Sequence, residues 1–321
     1  MRGWTRALLV CALAIAAAVG VQGAVADSPS GAQVPSNIGG VVPVLSGGTE
    51  TPSPALGGGN LLYHGGKVMR ANTAYAIFWL PAGQTMSSSY RTLIKTYFKD
   101  VALDSGKTSN VYFAATQYFD GTGHIAYNSH FGGAVVMTNP FPVNGCIDPA
   151  TVTCLSDSQL RAEVNLAISQ KLWTRTPKHA FFIFTPKNVG SCFGVGPSGC
   201  AYTDYCAYHG AEGGGSSILI YANQPYAAHA GCDVGQRPNG NDADPTINVV
   251  SHEHNEAITD PDVSTGWYDN QGFENGDKCA WIFGSLQGPG GAQYNQTINL
   301  HHYLLQEEWS NQGSHCVQTG L

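Results

Sequence analysis

Asp244-Pro245-Thr246-Ile247-Asn248-Val249-Val250-Ser251-His252-Glu253-His254-Asn255-Glu256-Ala257-Ile258-Thr259-Asp260-Pro261 is the stretch on which the reading of this chain turns. Asp244 ahead of Pro245 marks a helix start, because proline lacks only an N–H that the first turn leaves free, and Thr259-Asp260-Pro261 marks the stop. Between them Ile247, Val250, His254 and Ile258 share a packing face, while Val249, His252, Glu253 and Glu256 share the opposite one. His252 and Glu256 stand one turn apart, so a ring nitrogen and a carboxylate oxygen on one rigid rod reach toward the same metal ion. Glu253 is turned about 100° from His252, the place for a general base beside such an ion. Two residues past the helix offer a third ligand: Glu274, 18 positions beyond Glu256, and Asp262, ten beyond His252. Glu274 is preferred, because Asp277 is then available to hydrogen-bond the far nitrogen of His252. Two carboxylates and one imidazole neutralise the ion, so water there is acidified less than at a three-histidine site.

Outward from this helix, strand and helix patterns alternate. Residues 73–80 (TAYAIFWL), 180–184 (AFFIF) and 218–221 read as buried strands, with further strands expected at 111–118 and 134–137. Ser87-Ser88-Ser89 caps a helix carrying Tyr90, Leu93, Ile94, Tyr97, Phe98 and Val101 at helical spacing, and Ser156-Asp157-Ser158 opens another that buries Leu160, Val164, Ala167, Ile168 and Leu172. The expectation is an α+β sandwich, a zincin-like mixed sheet with an active-site helix, forming one loop-rich domain over residues 60–321. Residues 27–59 are rich in Pro, Gly and Ser without periodicity, and are expected to be a flexible tether or pro-segment.

The compartment follows from the first 26 residues. Arg2 and Arg6, an apolar run over 7–19 and Ala24-Val25-Ala26 have the form of a secretory signal peptide, and the run is short for a membrane span. Loss of that leader takes the net charge from −7 to −9, which argues against a nucleic-acid partner. It also removes Cys11, leaving Cys146, Cys154, Cys192, Cys200, Cys206, Cys232, Cys279 and Cys316, an even set without a C-x-x-C pair. In an exported chain these read as disulfides rather than as a thiolate zinc site, with the pairing left open. Only 12% of residues are charged against 43% hydrophobic, and the 40 glycines form no phosphate loop, nucleophile elbow or dinucleotide fingerprint.

From Val249 onward the chain resembles the phosphate-induced protein 1, or EXORDIUM-like, family of secreted proteins. The residues that carry the likeness are Ser251-His252-Glu253-His254-Asn255-Glu256, Thr259-Asp260-Pro261, Trp267-Tyr268, Glu274-Asn275-Gly276-Asp277-Lys278-Cys279 and the late Tyr303, Gln306 and Trp309. Tyr205-Cys206-Ala207-Tyr208-His209 and Asn223-Gln224-Pro225 extend it upstream, whereas the first half matches by layout only. The resemblance implies an extracellular or cell-wall-associated protein with a zincin-like helix, and ligand roles for His252, Glu256 and Glu274. The pairing of Glu274 with Asp277 is also similar to the gluzincin arrangement.

Function is therefore expected to be that of a secreted zinc-dependent hydrolase acting on peptide bonds. His252, Glu256 and Glu274 hold zinc, Glu253 is the base and Asp277 orients His252. The alternative is a non-catalytic wall- or glycan-associated binding protein, with calcium in the acidic loop 260–277. The partner is accordingly an extracellular peptide or a polysaccharide. Asp260, Asp262, His209 and Tyr268 are secondary candidates. Their plainer roles are a helix-end turn for Asp260, a loop histidine beside a disulfide for His209 and a cleft wall for Tyr268, while His254 reads as a satisfied core histidine.

Overall fold

The computed structural model describes residues 1, 33–45, 56–143 and 145–321. The proposed signal peptide lies outside them apart from Met1. The protein is α+β, built on a six-stranded mixed sheet whose strands are β1 (Ile38–Pro43), β2 (Asn72–Trp79), β3 (Ser129–Met137), β4 (His179–Phe184), β5 (Tyr205–Glu212) and β6 (Leu219–Gln224). Their spatial order is β1-β5-β6-β4-β2-β3. The pairs β6/β4, β4/β2 and β2/β3 are parallel, and β5 runs antiparallel to both β1 and β6.

Alternation along β2 explains the layering. Ala74, Ala76 and Phe78 point into one core with helices α1 (Ser88–Leu103) and α3 (Ala243–Thr259), while Tyr75, Ile77 and Trp79 point into the other with α2 (Asp157–Lys171). Helix α1 starts where Ser87 accepts the N–H of Tyr90, and α2 starts in a capping box between Ser156 and Gln159. Among the described residues no helix is long and apolar enough to cross a membrane. The eight cysteines pair as Cys146–Cys154, Cys192–Cys200, Cys206–Cys232 and Cys279–Cys316.

Three expectations are corrected. Residues 38–43 do not belong to a structureless tether: they form β1, because alternate side chains (Ile38, Val42) bury against the sheet and the backbone pairs with β5. Residues 111–118 are not a strand. Val111–Gln117 is a 3-10 helix, started by the Asn110 side chain accepting the N–H of Tyr112, and its i+3 spacing turns Tyr112 onto α3. Helix α3 begins at Ala243 with Asp242 as its N-cap, so Asp244 sits in the first turn, where its carboxylate accepts the N–H groups of Asn239 and Asn241.

Candidate metal centre

Helix α3 is buried along its whole length between sheet and C-terminal loops, so every polar side chain on it needs a partner. His254 has two. Tyr112 Oη lies 3.0 Å from its Nδ1 and Asn72 Oδ1 2.9 Å from its Nε2, and burial pushes the imidazole pKa down to about 3, so the ring is neutral. This is the satisfied core histidine expected from its place on the packing face.

On the opposite face, His252, Glu253 and Glu256 meet Glu274 and Asp277 from the loop after the helix, and His209 from β5. His252 Nε2 is 3.0 Å from Glu256 Oε1 and 3.5 Å from Asp277 Oδ1. His209 Nδ1 is 3.2 Å from Glu253 Oε2 and 3.6 Å from Glu256 Oε2, and its Nε2 is 3.9 Å from Glu274 Oε1. Glu256 thus shows one oxygen to each histidine. Two ligand-like groups result, His252-Glu253-Glu256 and His209-Glu256-Glu274, each with its donor atoms within 4.8 Å of one another. All five of these side chains are at most 3% exposed.

The electrostatics are those of a site with too many anions. Burial pushes Glu253 up to about 8 against the pull of both histidines, and it raises Glu274 and Asp277 as well. For Glu256 the two histidines outweigh burial and hold the pKa down to about 2. Burial lowers the basicity of His209 and His252, but the carboxylates around them reverse the sign and raise both well above the usual value. Among the described residues, four buried carboxylate oxygens of this neighbourhood have no hydrogen-bond partner, Glu253 Oε1, Glu256 Oε2, Glu274 Oε2 and Glu308 Oε1, and His252 Nε2 has its ion-pair contact with Glu256 Oε1 but no well-aligned hydrogen bond. The oxygens of Glu253, Glu256 and Glu274 belong to the two ligand-like groups, whose imidazole nitrogens and carboxylate oxygens are donors suited to a divalent cation.

The other sequence candidates lie elsewhere or play other parts. His209 is not a loop residue: the pleat of β5 aims it at α3, and it joins two of the glutamates. Asp277 does not take the far nitrogen of His252. Its carboxylate is held by the N–H groups of Val41 and Glu274 near Nε2, and the Gln306 side-chain amide lies against Nδ1 instead. Asp260 accepts the N–H groups of Ser264, Thr265 and Gly266, the turn role expected of it. Asp262 is exposed, outside both ligand groups, and Tyr268 stacks on His64 while its hydroxyl donates to Ser264 O. In the acidic loop Asp269 is taken by Lys278 and the amide of Gly58. Cys146, Cys154 and Cys192 also cluster, but all three sit in disulfides and carry no thiolate.

Sequence reasoning held His209 only as a secondary candidate and gave Gln306 no role in the site. For His209 the usable signal was strand alternation, which puts His209 on the same face as Ala207 and Ala211. Gln306 carried no local signal. Comparison of the chain with models of known protein families, with curated proteins and with solved structures finds no match.

Proposed function

We propose that the protein is a secreted zinc-dependent hydrolase of zincin-like design, acting on peptide bonds. The single observation that carries this reading is the group of partnerless carboxylate oxygens of Glu253, Glu256 and Glu274 buried beside two histidines, since so many buried anions in one place call for a cation. His252 and Glu256 are its ligands, completed by Glu274 as read from the sequence and joined by His209 from β5. When bound, zinc supplies Lewis acidity toward a carbonyl oxygen and toward water. Glu253 does the proton work. Its pKa near 8 and its contact with His209 suit a group that takes a proton from water as the water oxygen bonds to the carbonyl carbon. It returns that proton to the amine nitrogen as the C–N bond breaks. Secretion is supported by the leader sequence and by four disulfides, which persist in oxidising compartments.

The complete burial of the cluster favours a second reading, a non-catalytic extracellular binding protein in which the same cation is structural. Metal content by mass spectrometry, on wild type and His252→Ala purified without added metal, tests the shared premise: about one zinc per chain in the wild type only is expected. Glu253→Gln then separates the readings. A hydrolase keeps its metal and loses peptide hydrolysis by about 100-fold or more, whereas a folded, metal-free wild type overturns both readings of the cation.

A further inference from the structure

Strand β1 lies across the cluster. Its partner β5 carries His209, and in the pairing Gly39 faces His209 and Val41 faces Tyr208, with Gly40 bulged between them at φ +33°. A Cβ on Gly40 would collide with Glu256 Oε2 and come within 2.7 Å of His209 Nδ1, and one on Gly39 would come within 2.7 Å of Glu274 Oε1. The Gly-Gly backbone is therefore pressed onto the carboxylates in a way only glycine allows. Gly40 N donates to Glu274 Oε1 at 3.1 Å and Val41 N to Asp277 Oδ1 at 3.2 Å, so β1 shows amide N–H groups, not a carbonyl, to these two acids. Further anchors hold it at both ends: Ala211 N donates to Asn37 O at 2.9 Å, Trp281 Nε1 to Pro43 O at 2.7 Å and Leu45 N to Gly231 O at 2.7 Å. A cavity of about 280 Å³ opens beside Ser36 and Asn37, where the chain enters β1, lined also by Arg161, Glu212, Asp262 and Val263.

Resting on the hydrolase reading, we propose that the edge of β5 is the substrate-binding site, that its ligand is an extended polypeptide lying antiparallel to β5 with glycine over Glu256, and that β1 occupies this site in cis and shuts it. Main-chain pairing to an edge strand gives such a ligand its affinity, and the space over Glu256 and His209 gives it its specificity. A strand offering N–H donors satisfies the carboxylates without presenting a carbonyl to be attacked. The site opens when β1 leaves. The chain has no cysteine between residues 27 and 60, so no disulfide holds the segment once it is cut from the rest.

The test is a full chain with a specific protease recognition sequence substituted within residues 46–55, folded intact and cut afterwards, so that none of the described residues changes. The probe is a fluorescent peptide of residues 36–45, with a Gly40→Val copy as control. Before cutting, the peptide should not bind. After cutting, it should bind one per chain and displace the native fragment, the Gly40→Val peptide should bind at least ~30-fold more weakly, and the amide of Ala211 should lose hydrogen-exchange protection whenever the site is emptied. A cut chain that never exchanges its fragment, or that takes both peptides equally, overturns the proposal. Zinc is measured on the same samples. Peptide exchange in a zinc-free protein leaves the strand site standing and sinks the hydrolase reading, whereas zinc retained without exchange does the reverse.

Discussion

If the centre holds the proposed divalent cation, removing it should loosen the protein by an amount that follows from the groups around it. Without a divalent ion, the unpaired oxygens of Glu253, Glu256 and Glu274 are desolvated and partnerless among the described residues, and each such atom costs about 1–3 kcal/mol. Protons recover part of this, which is why the histidines and most of the carboxylates bind protons more tightly than usual. The net stabilisation by metal then depends on its free concentration. At one hundred times the dissociation constant it is about 2.7 kcal/mol, equivalent to roughly 4–5 °C in melting temperature for a chain of this size. The assay is a calorimetric melt of wild type and His252→Ala, each dialysed against chelator and then titrated with zinc. His252→Ala is destabilised even without metal, because Glu256 Oε1 and the Gln306 amide lose their neighbour, so the informative quantity is the zinc-dependent shift. Wild type should gain those degrees and His252→Ala should gain almost none. Equal melting temperatures of the wild type with chelator and with zinc would refute the reasoning, since the partnerless atoms would then need no cation.

Other consequences concern the surroundings of the centre. His254 is held neutral with a pKa near 3, while in the unfolded chain it titrates near 6.5, so only the unfolded state binds its proton between those values. Stability should fall by about 1.4 kcal/mol per pH unit as pH drops from 6.5 toward 3, and urea melts of His254→Gln should show an acid slope shallower by that amount; parallel slopes would exclude His254 as the source. Gln306→Ala removes the group against Nδ1 of His252 and should weaken zinc binding about 10–100-fold in a chelator competition, with unchanged affinity counting against a positioning role. The bridge Cys279–Cys316 spans 37 positions and ties the Asp277 turn to the C-terminal hairpin, so replacing both cysteines by serine should cost about 4 kcal/mol in denaturant melts.

Much of the architecture was legible because it is written in local periodicity. The apolar alternation of Thr73-Ala74-Tyr75-Ala76-Ile77-Phe78-Trp79, the serine caps at Ser87 and Ser156 and the helix through His252 all appear where the pattern puts them. The failures have a common cause. Val111-Tyr112-Phe113 has the composition of a strand, yet the Asn110 cap and the demand for Tyr112 beside His254 turn it into a 3-10 helix. The β1 segment has only Ile38, Val41 and Val42 around two glycines, too weak a signal in isolation, and becomes a strand because β5 offers an edge.

The sequence by itself determined that His252, Glu253 and Glu256 stand on one face of one helix, that Glu274 and Asp277 follow within reach, and that the eight cysteines beyond Cys11 form an even set available to pair. Only the tertiary structure decided which atoms meet there. His209 approaches through the pleat of β5, Gln306 backs His252 from a loop 54 positions away, and Gly40 reaches Glu274 across 234 positions. Helical spacing is a property of neighbours along the chain and can be counted. The meeting of a sheet edge, a buried helix and two distant loops depends on strand register and on packing in three dimensions, which no local pattern encodes.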